Sequence, residues 1–255
     1  MPTETSRLTH RIGAELGRLL IPQYCPGCGA LDTSLCPICT RTLHQPPTRV
    51  EHHIPRLARI DNHPPILPVW ALTPYDGPVR HILTAWKDHG RGDLTQALTH
   101  ATAAAAPHLP WPTTPHHARP TLLIPLPSRR AATRTRGFTP ATVIADALAT
   151  ALIAHHHPAT VINALTTRRS STQKTLTARD RWDTRSGGVT LRSRTHAQIS
   201  NATTVILVDD VITTGASMRH ALTSLPTTPG TFVAGFALAV TLTAKPVNKL
   251  HGNTR

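Results

Sequence analysis

The 255-residue sequence is poor in aromatic side chains, with Phe, Trp and Tyr together at 4%, and poor in acids, with 13 Asp and Glu. So few rings argue against an extended platform on which many bases stack in a row. Cysteine occurs four times, only between positions 25 and 39, which excludes a disulfide framework spread over the chain. No apolar run approaches the roughly 18 residues of a membrane-spanning helix. The start, Met-Pro-Thr-Glu-Thr-Ser, has no basic stretch followed by an apolar one. No signal peptide is therefore expected, and the expected location is the cytoplasm. No Gly-Lys pair occurs anywhere, which excludes the phosphate loop of P-loop nucleotide-binding folds.

Hydrophobic residues make up 39% of the chain and charged residues 16%, a composition that folds. There are 27 Lys and Arg, for a formal charge of +14. That excess reads either as a habit of a composition rich in Thr, Ala, Pro, His and Arg, or as a surface for an anionic partner. The partner is then a phosphorylated small molecule or nucleic acid, and charge alone does not choose between them.

Leu8, Ile12, Leu16, Leu19 and Leu20 recur at helical spacing. Residues 44–68 are rich in His, Pro and Arg without a period and read as a linker. Beyond them strands and helices alternate. Strands are expected at 69–72, 121–126, 160–165, 204–208 and 231–242. One helix opens at Gly77-Pro78 with Val79, Ile82, Leu83 and Trp86 on one face. A second is capped by Asp93, and a third by Thr139 with Pro140 at its first position. A fourth spans 217–225. The reading divides the chain into an N-terminal helix and cysteine module (1–43), a linker (44–68), an α/β domain (69–244) and a disordered tail (245–255). Alternation of this kind implies a mainly parallel sheet flanked by helices, with ligands beyond the carboxyl ends of its strands.

One such end carries chemistry. Val205-Ile-Leu-Val208 reads as a buried strand, followed by Asp209 and Asp210, then by Val211-Ile-Thr-Thr-Gly-Ala-Ser217 leading into a helix. Adjacent carboxylates can accept hydrogen bonds from the neighbouring hydroxyls of a ribose. Gly215 permits a tight turn that aims backbone N–H groups inward. Those groups, the Thr213, Thr214 and Ser217 hydroxyls and the helix N-terminus form a cradle for a phosphate monoester. A Walker B strand has the same apolar-acidic look but needs the missing Gly-Lys loop.

Three further segments bear on anions. Ile124-Pro-Leu-Pro127 ends a strand and leads into Ser128, Arg129, Arg130, Arg134 and Arg136-Gly-Phe138. Guanidinium groups grip phosphate in two-pronged fashion, so Ser128, Arg129, Arg130 and Arg136 are candidates for a pyrophosphate pocket, against the plainer reading of a solvated basic loop. Arg168 and Arg169 open a long polar stretch, and stretches this long without structure are usually functional or disordered. Lys87 reads equally as a phosphate contact or as a solvated lysine.

Cys25-Pro-Gly-Cys28 and Cys36-Pro-Ile-Cys39 form two Cys-x-x-Cys knuckles. Two such turns can present four thiolates tetrahedrally to a zinc ion, at about 2.3 Å each. A redox pair would need one motif within a βαβ context, and an iron site is the other rival. A module this small has no core of its own, so metal binding would supply its folding energy.

The stretch 205–217 resembles the phosphoribosyl pyrophosphate signature of type I phosphoribosyltransferases. The order of features resembles the ComF family: cysteine knuckles, the aromatic segment 75–90, Pro125-Leu-Pro127 with Arg136-Gly-Phe138, Gln173-x-x-Leu176 with Asp180-Arg181, then the ribose-phosphate motif. The resemblance runs from about Cys25 to Val240. It implies a type I phosphoribosyltransferase fold with a small zinc-ribbon-like module. It implies that Asp209 and Asp210 hold the ribose 2- and 3-hydroxyls and that Thr213, Thr214, Gly215, Ala216 and Ser217 bind the 5-phosphate. The catalytic set it implies is Asp209, Asp210, Arg168 and Arg169, with Mg2+ arriving on the pyrophosphate and residues 168–181 closing over the ligand. It also implies a link to competence and DNA uptake. Partners are then single-stranded DNA, a DNA-uptake helicase or another copy of the chain. The chain departs from the family pattern where Thr139-Pro140 replaces Asn-Gln and where Thr184 replaces an Asn. Two functions stay open: a glycosyltransferase moving a phosphoribosyl group, and a non-catalytic single-stranded-DNA binder that uses the ligand as a structural or regulatory element.

Overall fold

The computed structural model describes residues 23–58, 65–109, 120–128, 137–167 and 188–242. Among them, six strands form one sheet: β1 (Thr48–Arg49), β2 (Val69–Pro74), β3 (Thr121–Pro125), β4 (Ala159–Val161), β7 (Thr204–Ile212) and β8 (Phe232–Val240). Their order across the sheet is β1-β2-β8-β7-β3-β4. Every pairing is parallel except that of β1 with β2. A mixed α/β architecture with a mostly parallel sheet is therefore what the alternating pattern produces. β5 (Leu165–Thr167) and β6 (Val189–Leu191) form a separate antiparallel pair. The expected strand at 160–165 is thus two short strands in two sheets. Residues 168–187, with Arg168 and Arg169, lie outside the described residues, as do 129–136 with Arg129, Arg130 and Arg136, the N-terminal segment to residue 22 and the tail after 242.

The helices are α1 (Pro37–Leu43), α2 (Gly77–Asp88), α3 (Thr95–Ala105), α4 (Pro140–Ala154), α5 (His196–Ser200) and α6 (Ala216–Ser224). None of the described helices is long and apolar enough to cross a membrane. One capping expectation fails, and the other holds in position only. No side chain caps α3; Asp93 instead holds the Arg91 guanidinium through bonds of 2.9 and 2.8 Å. Arg91 in turn donates to the carbonyls of Tyr24 and Ser34 at 3.3 Å each, so the acid orients a clamp onto the cysteine module. Thr139 precedes α4 with no side-chain cap bond; its carbonyl accepts from the N–H groups of Thr142 and Val143.

β7 lies at the centre of the sheet between β3 and β8, and both of its faces are covered, which is why its apolar run is continuous rather than alternating. Ile206 and Val208 face a core shared with α2, α3, α4 and the cysteine module, where Trp86, Leu98, Leu148 and Phe236 pack. Val205 and Leu207 face a second core built from Ile54, Leu57, Ile199, Met218 and Ala221.

The stretch 44–68 is not a free linker where it is described. Val50, Ile54, Leu57 and Leu67 are buried in that second core. Glu51, fully buried, latches the segment down: it pairs with Arg49 and accepts the Val69 N–H at 3.1 Å. Arg49 also lies over the Trp70 ring, 5.5 Å from its centroid. These contacts keep the Glu51 carboxyl below its ordinary range: burial pushes it up, and the bonds from Arg49 and the Val69 N–H outweigh that.

Candidate functional site at the tip of the central strand

β7 runs to Ile212, past the two acids, before the chain turns through Thr213 and Thr214 to Gly215 and enters α6. Gly215 has φ of +75°, the left-handed region in which a side chain is strained. Space makes the same demand. A Cβ at Gly215 would stand 2.5 Å from Ile54 Cγ2 and 2.9 Å from Leu57 Cγ. The Arg56 N–H also donates to the Thr214 carbonyl at 3.1 Å. Residues 54–57 are thus the floor on which the turn rests, a role invisible in a segment without hydrophobic period.

With the turn braced through its carbonyl side, its donors remain available. Among the described residues, the backbone N–H groups of Thr213, Thr214 and Gly215 donate to no protein acceptor. The Ala216 N–H reaches only the Thr214 hydroxyl, at 3.4 Å. Thr213 and Thr214 are exposed, Ser217 is half-buried, and Gly215 and Ala216 are buried. Unspent N–H groups at the start of a nine-residue helix give a patch of positive potential suited to an anion.

The two acids differ. Strand alternation sends Asp209 toward the face of Val205 and Leu207, and Asp210 toward that of Ile206 and Val208. Asp209 is partly exposed, and its Oδ1 accepts the Asp210 N–H at 2.9 Å. Burial, and then the neighbouring Asp210 carboxylate, push the Asp209 carboxyl well above the ordinary range. Asp210 is 8% exposed. Its Oδ2 lies 2.7 Å from Lys87 Nζ. That oxygen lacks a well-aligned hydrogen bond, so the contact is chiefly an ion pair. Of the two readings of Lys87, that of a solvated lysine is not met: its side chain is 22% exposed, and it is paired with Asp210, one of the two acids. Burial pulls its ammonium down, and the attraction of Asp210 more than offsets this. Trp86, beside it, is fully buried and fixes this end of α2. Its indole N–H donates to Thr95 at 2.9 Å, and its ring lies 5.2 Å from that of Phe138.

Next to β7, β3 ends at Pro125, and the Leu126 N–H donates to the Val208 carbonyl at 2.8 Å. Ser128 therefore emerges at the same edge of the sheet as the acids. It lines a groove of about 650 Å³ whose wall also carries Thr139, Asn163, Arg192 and Arg194. The two arginines went unremarked in the sequence because the short strand before them, β6, has no pattern of its own. Of the pyrophosphate candidates, Ser128 is on this wall, while Arg129, Arg130 and Arg136 lie outside the described residues, as do Arg168 and Arg169.

The cysteine prediction is met in geometry. The sulfurs of Cys25, Cys28, Cys36 and Cys39 lie within 4.8 Å of one another, and none is in a disulfide. Cys28 and Cys36 Sγ are 3.5 Å apart, close to the edge of a tetrahedron built on zinc–sulfur bonds of about 2.3 Å. Gly27 is required: a Cβ there would come 2.6 Å from Cys39 Sγ and 3.2 Å from Ile82 Cδ1 of α2. Burial works against ionisation of Cys25, yet backbone hydrogen bonds from Cys36, Cys28 and Gly27 bring its thiol down to about 6. The four thiols do not shift together: burial, and then the neighbouring thiols, push the Cys39 thiol up. The four-cysteine group fits a structural zinc, and Cys25, Cys36 and Cys39 belong to the same core as α2 and Trp86. No protein-family model and no curated protein matches this chain.

Proposed function

We propose that the chain binds phosphoribosyl pyrophosphate at the tip of β7 and acts as a phosphoribosyltransferase of the type I fold, with zinc holding its cysteine module. The observation that carries this reading is the pairing of two acids at a strand tip with a glycine turn whose N–H groups are unspent. Sugar hydroxyls and the 5-phosphate of one ligand need these two sites side by side. The groove beside Ser128, with Arg192 and Arg194, supplies room and positive charge for a further part of the substrate. Mg2+, which the resemblance implies, would be held largely by oxygens of the ligand and water and would offset the charge of its pyrophosphate. The resemblance to the ComF family rests on the order of motifs along the chain and supports the same reading.

In this reading Asp209 and Asp210 take the ribose hydroxyls, and Thr213 to Ser217 the 5-phosphate. Departure of pyrophosphate from C1 leaves an oxocarbenium-like centre, and an amine or nucleobase nitrogen captures it. Arg168 and Arg169 offset the charge developing on the leaving group. The test is incubation with phosphoribosyl pyrophosphate, magnesium and a panel of amine and nucleobase acceptors, reading pyrophosphate release. Release that depends on one acceptor is the expected result. Failure of the ligand to bind contradicts the reading.

A second reading is a non-catalytic binder of single-stranded DNA in DNA uptake, favoured by the basic excess of +14. It calls for ligand affinity without turnover, together with DNA binding that weakens steeply with salt.

A further inference from the structure

We infer that Lys87 makes this site select a sugar phosphate bearing a diphosphate at C1 over the same sugar 5-phosphate without one. The inference deepens the ribose-phosphate reading of the β7 tip and rests on it.

Asp210 is not an open carboxylate. Its buried Oδ2 has the Lys87 ammonium at 2.7 Å and no aligned hydrogen bond. A ribose hydroxyl that approaches this acid must share it with the ammonium or displace it. Displacement into nothing would strand a mostly buried cation, and an uncompensated buried charge is among the costliest defects in a protein. Lys87 therefore works against any ligand that offers it no anion in exchange.

The chemistry of the sugar supplies one. In a ribofuranose, C1 is bonded to C2, so the group on C1 lies directly beside the 2-hydroxyl. A carboxylate that accepts from the hydroxyls thus brings the C1 substituent close to whatever already sits on that carboxylate. With a diphosphate there, the ammonium moves from Asp210 to the diphosphate oxygens while the hydroxyls replace it on Asp210. The ammonium exchanges one anion for another, the Asp210 carboxylate exchanges the ammonium for hydroxyl hydrogen bonds, and no covalent bond is made or broken. With a bare hydroxyl at C1, the ammonium has only Asp209 to turn to, an acid that the same sugar hydroxyls occupy.

The surroundings confine the movement to the tip of the side chain. Lys87 is the penultimate residue of α2. Its neighbour Trp86 is fully buried, hydrogen-bonded to Thr95 and packed against the tilted ring of Phe138. The helix end is thereby fixed, and only the flexible lysine stem is left to turn. Arginine's rigid fork is a poorer fit to such an exchange than a compact ammonium.

The experiment compares two ligands on each protein by titration calorimetry: phosphoribosyl pyrophosphate with magnesium, and ribose 5-phosphate. Wild type is expected to favour the first. Lys87→Met is expected to narrow that preference by about tenfold or more, the loss of one charge-assisted contact, with ribose 5-phosphate affinity unchanged or raised. Lys87→Arg is expected to keep part of the preference. Both ligands are measured on one sample, so a loss of folded protein cancels in the ratio. If Lys87→Met does not fold, Lys87→Gln gives the same comparison. A wild-type preference that persists intact in the neutral variant overturns the inference. Wild type binding both ligands equally overturns it too, while leaving the ribose-phosphate cradle standing. Wild type binding neither ligand overturns both.

Discussion

Ile54 lies directly beneath Gly215: a Cβ on the glycine would stand 2.5 Å from Ile54 Cγ2. The contact joins a segment far upstream to the turn proposed to receive the phosphate. It converts what reads as a linker into part of the site's foundation.

Gly215→Ala is therefore expected to be harmful twice over, through a left-handed backbone at φ of +75° and through overlap with Ile54 and Leu57. The floor itself is separable from the turn. Ile54→Ala leaves the glycine backbone free but opens a cavity beneath it. It should cost about 2–5 kcal/mol of stability and weaken binding of the sugar phosphate in the protein that remains folded. Denaturant unfolding and calorimetry read the two effects. Full ligand affinity in Ile54→Ala would show that the floor does not hold the turn.

Asp209 gives a dependence on pH. Its carboxyl is raised in the folded protein by burial and by Asp210, with Lys87 opposing. A carboxyl raised on folding binds its proton more tightly in the native state. Its contribution to stability is present below the unfolded value, and it is lost as pH rises through the folded one. Stability should therefore fall as pH climbs from about 4 through the raised value. Asp209→Asn should flatten that slope and raise the melting temperature at neutral pH. Glu51, lowered on folding, acts in the opposite sense, and its contribution is lost only as pH falls below the ordinary carboxylate range. Melting curves across pH for wild type and Asp209→Asn test this; identical slopes would contradict it.

The cysteine module predicts one zinc per chain and a whole-protein response to its removal. Cys25, Cys36 and Cys39 pack in the same core as Trp86, Leu98 and Phe236. Chelation should therefore lower the unfolding temperature of the α/β unit, not merely fray the first residues. Metal analysis and calorimetric melting before and after a strong chelator measure both. An unchanged transition after complete metal loss would show that the module is an appendage.

Much of this was legible in the sequence where short-range chemistry decides. Val205 to Val208 read as a buried strand because a strand covered on both faces has only apolar residues to offer; the acids were expected where it ends, whereas β7 continues past them to Ile212, and Gly215 marks the turn. The two Cys-x-x-Cys turns declared a four-sulfur cluster through spacing alone. Contacts between distant segments were not legible. Val50, Ile54 and Leu57 have no period, and their burial follows from a latch made by Glu51. Asp93 stood where a cap belongs, but Arg91 two residues away was the stronger partner. The antiparallel pair β5 and β6 consists of strands of three residues each, too short for alternation to register. Lys87 could be read as solvated or as a phosphate contact, and only the fold brings it to Asp210.

The central claim is that the twin acids and the glycine turn hold one ligand between them. Calorimetric titration of phosphoribosyl pyrophosphate with magnesium into wild type and into the Asp209→Ala, Asp210→Ala double variant tests it most directly. The account predicts measurable affinity in wild type and none in the double variant, whose melting still shows a cooperative fold. Undiminished affinity in the folded double variant would contradict it.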